Sequence, residues 1–369
     1  MAEEIFVRYC DEYGPEKVCY IYEPRVGLKG IVVVDNTAAG PAIGGIRMAP
    51  DITTEEVFRL ARAMTWKNAL AGLPHGGGKS GIIADPKAPN KETLIRHFAR
   101  GMEALKGYIP GPDMGTDETA MGWVRDEIGR SVGLSKVLGG IPLDQVGATG
   151  FGCAIAAEVS QEFADLPLKG ARICVQGFGN VGQPAARFFQ ERGAIMTIAT
   201  DLDGTVYDPD GIDVDELIKL KQETGRVTDY SRGQKFDDRN AFIDLEHDYF
   251  VPAARPDVID ENNALRLNCK VIIQGANIPC TAQAERILHG RGILSVPDFV
   301  ANAGGVICAS VEYHGGTQKQ AFETIEEKIR ENTTEVLKLS RDTKQMPMEA
   351  ALALAKRRVA EAMDYRRHT

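Results

Sequence analysis

An α/β fold in two domains is what this chain predicts, on three observations. At 369 residues it is longer than one hydrophobic core ordinarily serves. From Ala171 onward, short apolar β-branched runs alternate with helix-patterned stretches, which is how a parallel sheet covered by helices reads. Between the halves, Gly139-Gly-Ile-Pro142 punctuates the chain. A first domain at 1–142 and a second, doubly wound domain at 143–334 follow, with residues from about 335 to 369 expected to rejoin the first as helices.

Composition narrows the class. Apolar residues make up 43% and charged residues 26%, the balance of a globular chain rather than a disordered one. A net charge of −9 and a pI near 5.4 argue against nucleic acid as a partner. No apolar run reaches the roughly 18 residues a membrane helix needs, and the start, Met-Ala-Glu-Glu, lacks a basic and then apolar leader, so a cytoplasmic protein without a membrane partner is expected. Seven scattered cysteines without a Cys-x-x-Cys pair suggest reduced thiols, with neither a disulfide frame nor a metal site.

In chain order, Lys17–Glu23 and Leu28–Asp35 read as paired strands separated by Pro24 and Gly27. A helix runs from Thr53 to Gly72, with Thr53 and Glu56 as a capping box and Ile52 and Val57 as its staple. Its positions 57, 60, 64, 67 and 71 align Lys67 with an apolar stripe and point it inward. Leu94, Phe98, Met102 and Leu105 mark a second helix, and Thr116 can cap a third carrying Met121, Val124 and Ile128. Beyond Pro142, Gly150–Phe163 reads as a helix. Strand Ala171–Gln176, helix Gln183–Arg192 and strand Ala194–Thr200 then form a βαβ unit. Tyr249–Val251 and Val271–Gln274 extend the sheet, and Met346–Arg367 is a packing helix.

That βαβ unit contains Gly177-Phe178-Gly179-Asn180-Val181-Gly182, between its first strand and its helix. In this context G-x-G-x-x-G binds a dinucleotide: Gly177 makes the turn, Gly179 admits the pyrophosphate, and Gly182 lets helix and strand pack closely. Asp201 ends the second strand, where a carboxylate would accept the ribose hydroxyls and repel a 2′-phosphate, favouring NAD without excluding NADP; it could instead be a turn former. Ile198–Val206 also resembles the aspartyl-phosphate motif of haloacid-dehalogenase-type phosphatases, with Asp201 as nucleophile and Asp203 as acid/base, although that motif normally starts a sheet rather than closing a βαβ unit. Gly78-Lys79-Ser80 imitates a P-loop, but Leu73 stands where its first glycine belongs, and a strand follows where a helix is required.

Lys79 leaves the turn Gly76-Gly77-Gly78 directly into an apolar strand-like run, and the glycines would let a ligand approach the backbone closely. A lysine placed there, partly desolvated, reads as a reagent able to give up its proton. Lys67 reads either as a snorkelling lysine near a helix C-terminus or as an ammonium for a substrate carboxylate. Asp113, in Ile109-Pro-Gly-Pro-Asp-Met-Gly-Thr116, is either a turn residue or a presented carboxylate.

The segment Leu73–Pro86 resembles the signature of the glutamate/leucine/phenylalanine/valine dehydrogenase family. Gly40-Pro-Ala-Ile-Gly-Gly-Ile-Arg-Met48 is similar to its leucine branch, while Ala148-Thr-Gly-Phe-Gly152 and Gly275-Ala-Asn-Ile-Pro279 are similar to its glutamate branch. The resemblance implies an N-terminal α/β substrate and oligomerisation domain and a Rossmann dinucleotide-binding domain with a cleft between them. It further implies Lys67 as the α-carboxylate ligand beside Gly76 and Gly77, Lys79 as catalytic lysine, and Asp113 as proton carrier. Thr149, Asn277 and Asn302 would lie near the nicotinamide, and Val306 near the substrate. The implied reaction is NAD(P)-dependent oxidative deamination of an L-amino acid to a 2-oxo acid and ammonia by a closed homo-oligomer, hexamer or octamer.

Departures from the resemblance bear on the substrate. Glutamate dehydrogenases place a lysine where Ile43 stands and a serine where Ala309 stands, so a side-chain carboxylate here would lack both partners at a cost of several kcal/mol. Gly111 replaces the usual alanine and widens the pocket. A leucine-, valine- or phenylalanine-like substrate is expected, with glutamate as the alternative; a regulatory homologue without turnover is a further reading.

Overall fold

The computed structural model describes residues 8–366, which divide into two compact units. One holds the described residues up to Leu143, Val306–Thr324 and those from Ala353 onward; the other holds Asp144–Gly305 and Ile325–Leu352. The boundary after Leu143 adjoins the Gly-Pro punctuation; after Gly305 the chain enters the first unit at Val306–Thr324, passes back to the second, and rejoins the first at Ala353, where a single return at about 335 was expected. Buried apolar residues explain the departure. Ile307 and Ala309 complete the core of the first unit, whereas Ile325, Ile329, Val336 and Leu337 give the second unit the buried stripe of a long amphipathic helix.

The first unit contains β1 (Lys17–Glu23), β2 (Leu28–Asn36), β3 (Ala42–Ala49), α1 (Thr54–Leu70), β4 (Gly77–Ile83), α2 (Lys91–Gly101), β5 (Tyr108–Pro112) and α3 (Glu118–Ile128). Its sheet runs β1-β2-β4-β3-β5, with β3 parallel to both β4 and β5. Thr53 accepts from the Glu56 amide and caps α1, and Ile52 and Val57 share one cluster, as the sequence predicts. The cap of α3 is Asp117, not Thr116, whose hydroxyl instead donates to the Ile46 carbonyl and accepts from the Asp113 amide.

Strand alternation assigns the two faces of this sheet. Val32, Val34, Ile46, Met48 and Tyr108 point to the face sealed by Leu94, Phe98, Met121 and Val124. Residues one step out of phase, Val33, Ile43, Arg47, Lys79, Ile109 and Gly111, point to the opposite face, part of which α1 covers through Val57, Phe58 and Ala61.

The second unit contains α4 (Ala148–Ala164), β6 (Arg172–Gln176), α5 (Gly182–Glu191), β7 (Ile195–Asp201), β8 (Gly204–Tyr207), α6 (Val214–Thr224), β9 (Gln234–Phe236), β10 (Tyr249–Pro252), α7 (Glu261–Arg266), β11 (Val271–Ile273), α8 (Ala282–Gly290), β12 (Leu294–Val296) and α9 (Asp298–Ala301). The strand order is β12-β11-β10-β6-β7-β8-β9, parallel from β12 to β7 and antiparallel beyond. Order reverses beside β6, the switch point where open α/β sheets take ligands. Helices α10 (Gly304–Tyr313), α11 (Gln318–Thr343) and α12 (Pro347–Asp364) complete the chain.

Candidate active site

On the open face of the first sheet, register brings charged groups together. Ile46 pairs with Ser80 and with Pro112, so Arg47 and Asp113 follow side by side, and Lys79 lies on the same face of β4. Lys79 Nζ donates to Asp113 Oδ2, and Arg47 Nε donates to Asp113 Oδ1 at 2.8 Å. Arg47 also pairs with Glu56 in the first turn of α1. The Lys79 side chain is 6% exposed and that of Asp113 15%, so the pair is shielded and its Coulomb attraction little screened. Burial pushes the Asp113 carboxyl up, but Lys79 and Arg47 outweigh it and hold the group at about 2. Asp113 is therefore ionised, and each of its two oxygens accepts a hydrogen bond from one of two cations, Lys79 and Arg47. Arg47, a residue the sequence reading did not assign a role, is its second cation.

Close packing of the protein's own backbone requires glycines before Lys79. A Cβ on Gly76 would lie 1.8 Å from the Asn36 carbonyl oxygen, and one on Gly77 would lie 2.1 Å from the Thr65 amide. β2 and α1 thus occupy the positions that side chains on Gly76 and Gly77 would take. The buried face of α1 runs through Val57, Phe58, Ala61, Thr65, Asn68 and Ala69, with Asn68 donating to the Gly76 carbonyl at 2.7 Å. Lys67 sits beside that face with Leu60 and Met64, half-buried, rather than in its centre.

Beside the ion pair, Ile43, Ile109, Val132 and Ala309 form a buried apolar cluster with Leu143 against it. Gly111 adjoins it: a Cβ there would approach Val132 Cγ2 at 3.2 Å. Val306, half-buried, precedes Ala309 by one turn of helix. Glu312, on the same helix, accepts the amides of Gly133, Leu134 and Ile141 at 3.0, 3.1 and 3.2 Å and so fixes the loop that carries Val132 and Leu143. Burial raises the pKa of Glu312, against the pull of those amides. Only its three-residue spacing from Ala309 could have revealed that role.

In the second unit a cavity of ≈ 460 Å³ is lined by Gly177, Phe178, Gly179, Asn180, Val181 and Asp201 of the predicted set, together with Lys221, Arg239 and Arg255. Gly177 has φ +90, and a Cβ there would meet Ala254 at 2.6 Å; on Gly182 it would meet the Gly177 carbonyl oxygen at 2.1 Å. On Gly179 it would meet nothing within 4 Å and would project into the cavity itself. The N-terminus of α5 lacks a side-chain cap, leaving backbone amides for an anion. These features fit a dinucleotide pyrophosphate.

A second group in this unit gathers Thr149, Asn277 and Asn302. Gly304 packs against Ala148 and Thr149, while Asn302 donates to the Gly275 and Ala276 carbonyls and to Asn277 Oδ1 at 3.1 Å. Asn302 Oδ1 is buried without a partner and suits an amide donor such as a carboxamide. Asp201 is tied into the β7–β8 turn by the Asp203 amide at 2.8 Å and by Lys221.

The family described as Glutamate/Leucine/Phenylalanine/Valine dehydrogenase matches residues 139–367, and its companion, described as the Glu/Leu/Phe/Val dehydrogenase dimerisation domain, matches residues 15–130. A glutamate dehydrogenase of Aeropyrum pernix is 40% identical over 356 residues, 90% of this chain and 85% of that one. An NADP-specific glutamate dehydrogenase of Saccharolobus shibatae is 38% identical over 294 residues, 75% of this chain and 69% of that one. Among solved structures, the hetero-hexameric glutamate dehydrogenase of Thermus thermophilus in its Leu-bound form superposes with a TM-score of 0.86 at 28% identity, covering 96% of this chain and 91% of that one.

Proposed function

We propose, for a chain that belongs to the glutamate/leucine/phenylalanine/valine dehydrogenase family and is an NAD(P)-dependent amino-acid dehydrogenase, that its substrate is an L-amino acid with an apolar side chain. The observation that carries this reading is the buried cluster of Ile43, Ile109, Val132 and Ala309. A glutamate side chain placed there would set its carboxylate against Ile43 and Ala309, neither of which can pair with it, and an unpaired buried charge costs several kcal/mol. Glutamate is the second reading, favoured by relatives that are glutamate dehydrogenases.

The residues divide the work as follows. Lys67 binds the α-carboxylate, and Ile43, Gly111, Val306 and Ala309 orient the side chain. The nicotinamide, when bound, supplies the hydride acceptor. In its neutral form Lys79 Nζ takes a proton from the water that attacks the substrate iminium; Asp113, which then keeps only Arg47 as a cation and so binds a proton more readily, carries protons to and from the substrate nitrogen beside Nζ. Thr149, Asn277 and Asn302 would hold the nicotinamide end; Gly177, Phe178, Gly179, Asn180, Val181 and Gly182 would hold the pyrophosphate. The assembly belongs with this reading: a closed homo-oligomer, hexamer or octamer, which light scattering on the purified protein would measure.

The deciding experiment is NAD⁺ and NADP⁺ reduction across a panel of L-amino acids. Turnover of leucine, valine or phenylalanine above glutamate is expected. Turnover of glutamate alone would overturn the apolar reading, and silence throughout, with dinucleotide binding intact, would favour a non-catalytic homologue.

A further inference from the structure

We propose that a cavity in the first unit, beside the Gly76 turn, binds a single aromatic ring carrying one hydrogen-bond donor, of which a phenol is the simplest case, with His75 Nε2 as the acceptor. The cavity measures ≈ 160 Å³. Ala39, Ala69, Leu73 and Val359 give it an apolar wall, and Gly72, exposed, and Arg358, half-buried, lie where it meets solvent. Apart from Gly76, none of its lining residues belongs to the groups assigned above to substrate or cofactor. A cavity of about 150 Å³ walled by apolar side chains takes up benzene, so the room suits one six-membered ring.

The polar groups in the wall single out one acceptor. Thr65 Oγ1 donates to Asp35 Oδ2 at 2.5 Å, and the Asn36 side chain donates to the Tyr13 carbonyl at 2.7 Å and accepts the Ala38 amide at 2.8 Å. Arg358 donates to the Ala69 and Leu70 carbonyls at the end of α1. His75 differs from these. It is 1% exposed, and its Nδ1 lies 3.1 Å from the Pro41 carbonyl, which can only accept, so Nδ1 carries the proton and Nε2 a lone pair. Nε2 is buried and has no partner among the described residues. Burial, chiefly, pushes the ring down to about 4, so at neutral pH the lone pair stays open to a donor. Tyr313 and His314 pack against the ring at centroid distances of 5.6 and 5.3 Å and hold it in place. A buried acceptor without a partner costs free energy that an incoming donor recovers. An ordered water would need about two to four polar partners. A ring with one hydroxyl needs only this one, and covers the apolar wall as well.

Calorimetric titration of the full chain with phenol, and with toluene, which has the same shape without the donor, tests the proposal. Phenol is expected to bind saturably with a dissociation constant of about 1 mM or below, and to raise the melting temperature as its concentration rises. His75→Leu should weaken phenol by about fivefold or more, the loss of one hydrogen bond, and leave toluene at its parent affinity or tighter. Val359→Phe, which fills the cavity and leaves His75 in place, should weaken both ligands by about tenfold or more. A parent protein that melts cooperatively but does not bind phenol would overturn the proposal. So would equal losses of phenol and toluene in His75→Leu, which would reduce His75 to a wall. Phenol binding undiminished in Val359→Phe would overturn it too, because the ring would then lie elsewhere. Should His75→Leu fail to fold, His75→Phe keeps a ring beside Tyr313 and His314, with the same loss of phenol alone expected.

Discussion

Lys79 and Asp113 meet at a single contact, and each has its own signature. Lys79→Ala is expected to lower kcat by about 10³-fold or more, the range of general acid–base catalysis. NADH affinity should stay unchanged, because the dinucleotide cavity is built from residues of the other unit. Stopped-assay turnover and NADH fluorescence titration measure the two separately, and a parallel loss would place Lys79 in the fold or the cofactor site. Arg47 acts through Asp113. Arg47→Gln removes one of the two cations that hold that carboxyl at about 2, so the acid limb of the kcat/KM profile should move to higher pH; a profile that does not move would show that Lys79 alone sets it. Gly111→Ala tests the pocket. The new Cβ, 3.2 Å from Val132 Cγ2, must displace that side chain or the substrate, and preference within the amino-acid panel should shift towards smaller side chains.

At the level of elements, the strongly periodic parts were legible and the glycine- and proline-rich strands were not. The α1 cap, the β6–α5–β7 unit and the first hairpin follow from capping, periodicity and turn signals. Strands β3 and β5 were missed because Gly44, Gly45, Pro110, Gly111 and Pro112 have poor strand propensity. Packing overrides propensity in β3: a Cβ on Gly44 would lie 1.7 Å from the Gly78 carbonyl oxygen. β5 keeps its prolines because it is an edge strand, where a missing amide costs nothing. The second cation on Asp113 was illegible for the same reason, since Arg47 reaches Asp113 only through the β3–β5 register. The loop after α3 is held by Glu312 rather than by secondary structure. Glu312→Ala leaves three loop amides unpaired and should lower the stability of the first unit by about 3 kcal/mol, with Glu312→Gln intermediate, as chemical denaturation would report. Equal stabilities for the two variants and the parent would mean that water replaces the carboxylate.

For the molecule as a whole, buried titratable groups of opposite sense govern the response to pH. Burial, chiefly, pushes His75 and His247 down to about 4. Between the ordinary histidine range near 6.5 and that value, the unfolded chain binds a proton on each that the native state refuses, so these groups make stability fall as the solution is acidified, by up to about 3 kcal/mol each. Glu285 works in reverse. Buried between Gln274 and Ser295, it is pushed up to about 7, so the native state keeps a proton that the unfolded chain releases above about 4.5. Its contribution is fully present below that point and is lost as pH rises towards 7. Asp35 and Glu312, both raised by burial, act in the same sense as Glu285. The two sets partly cancel, which predicts a broad stability plateau between about pH 5 and 7 rather than a sharp optimum. Glu285→Gln separates them: an amide cannot ionise, so the variant should gain on the parent as pH rises from 5 to 8, by up to about 3 kcal/mol, in denaturant midpoints measured across that range. A constant difference across the range would mean that Glu285 does not change its protonation there, and that the histidines act without that counterweight.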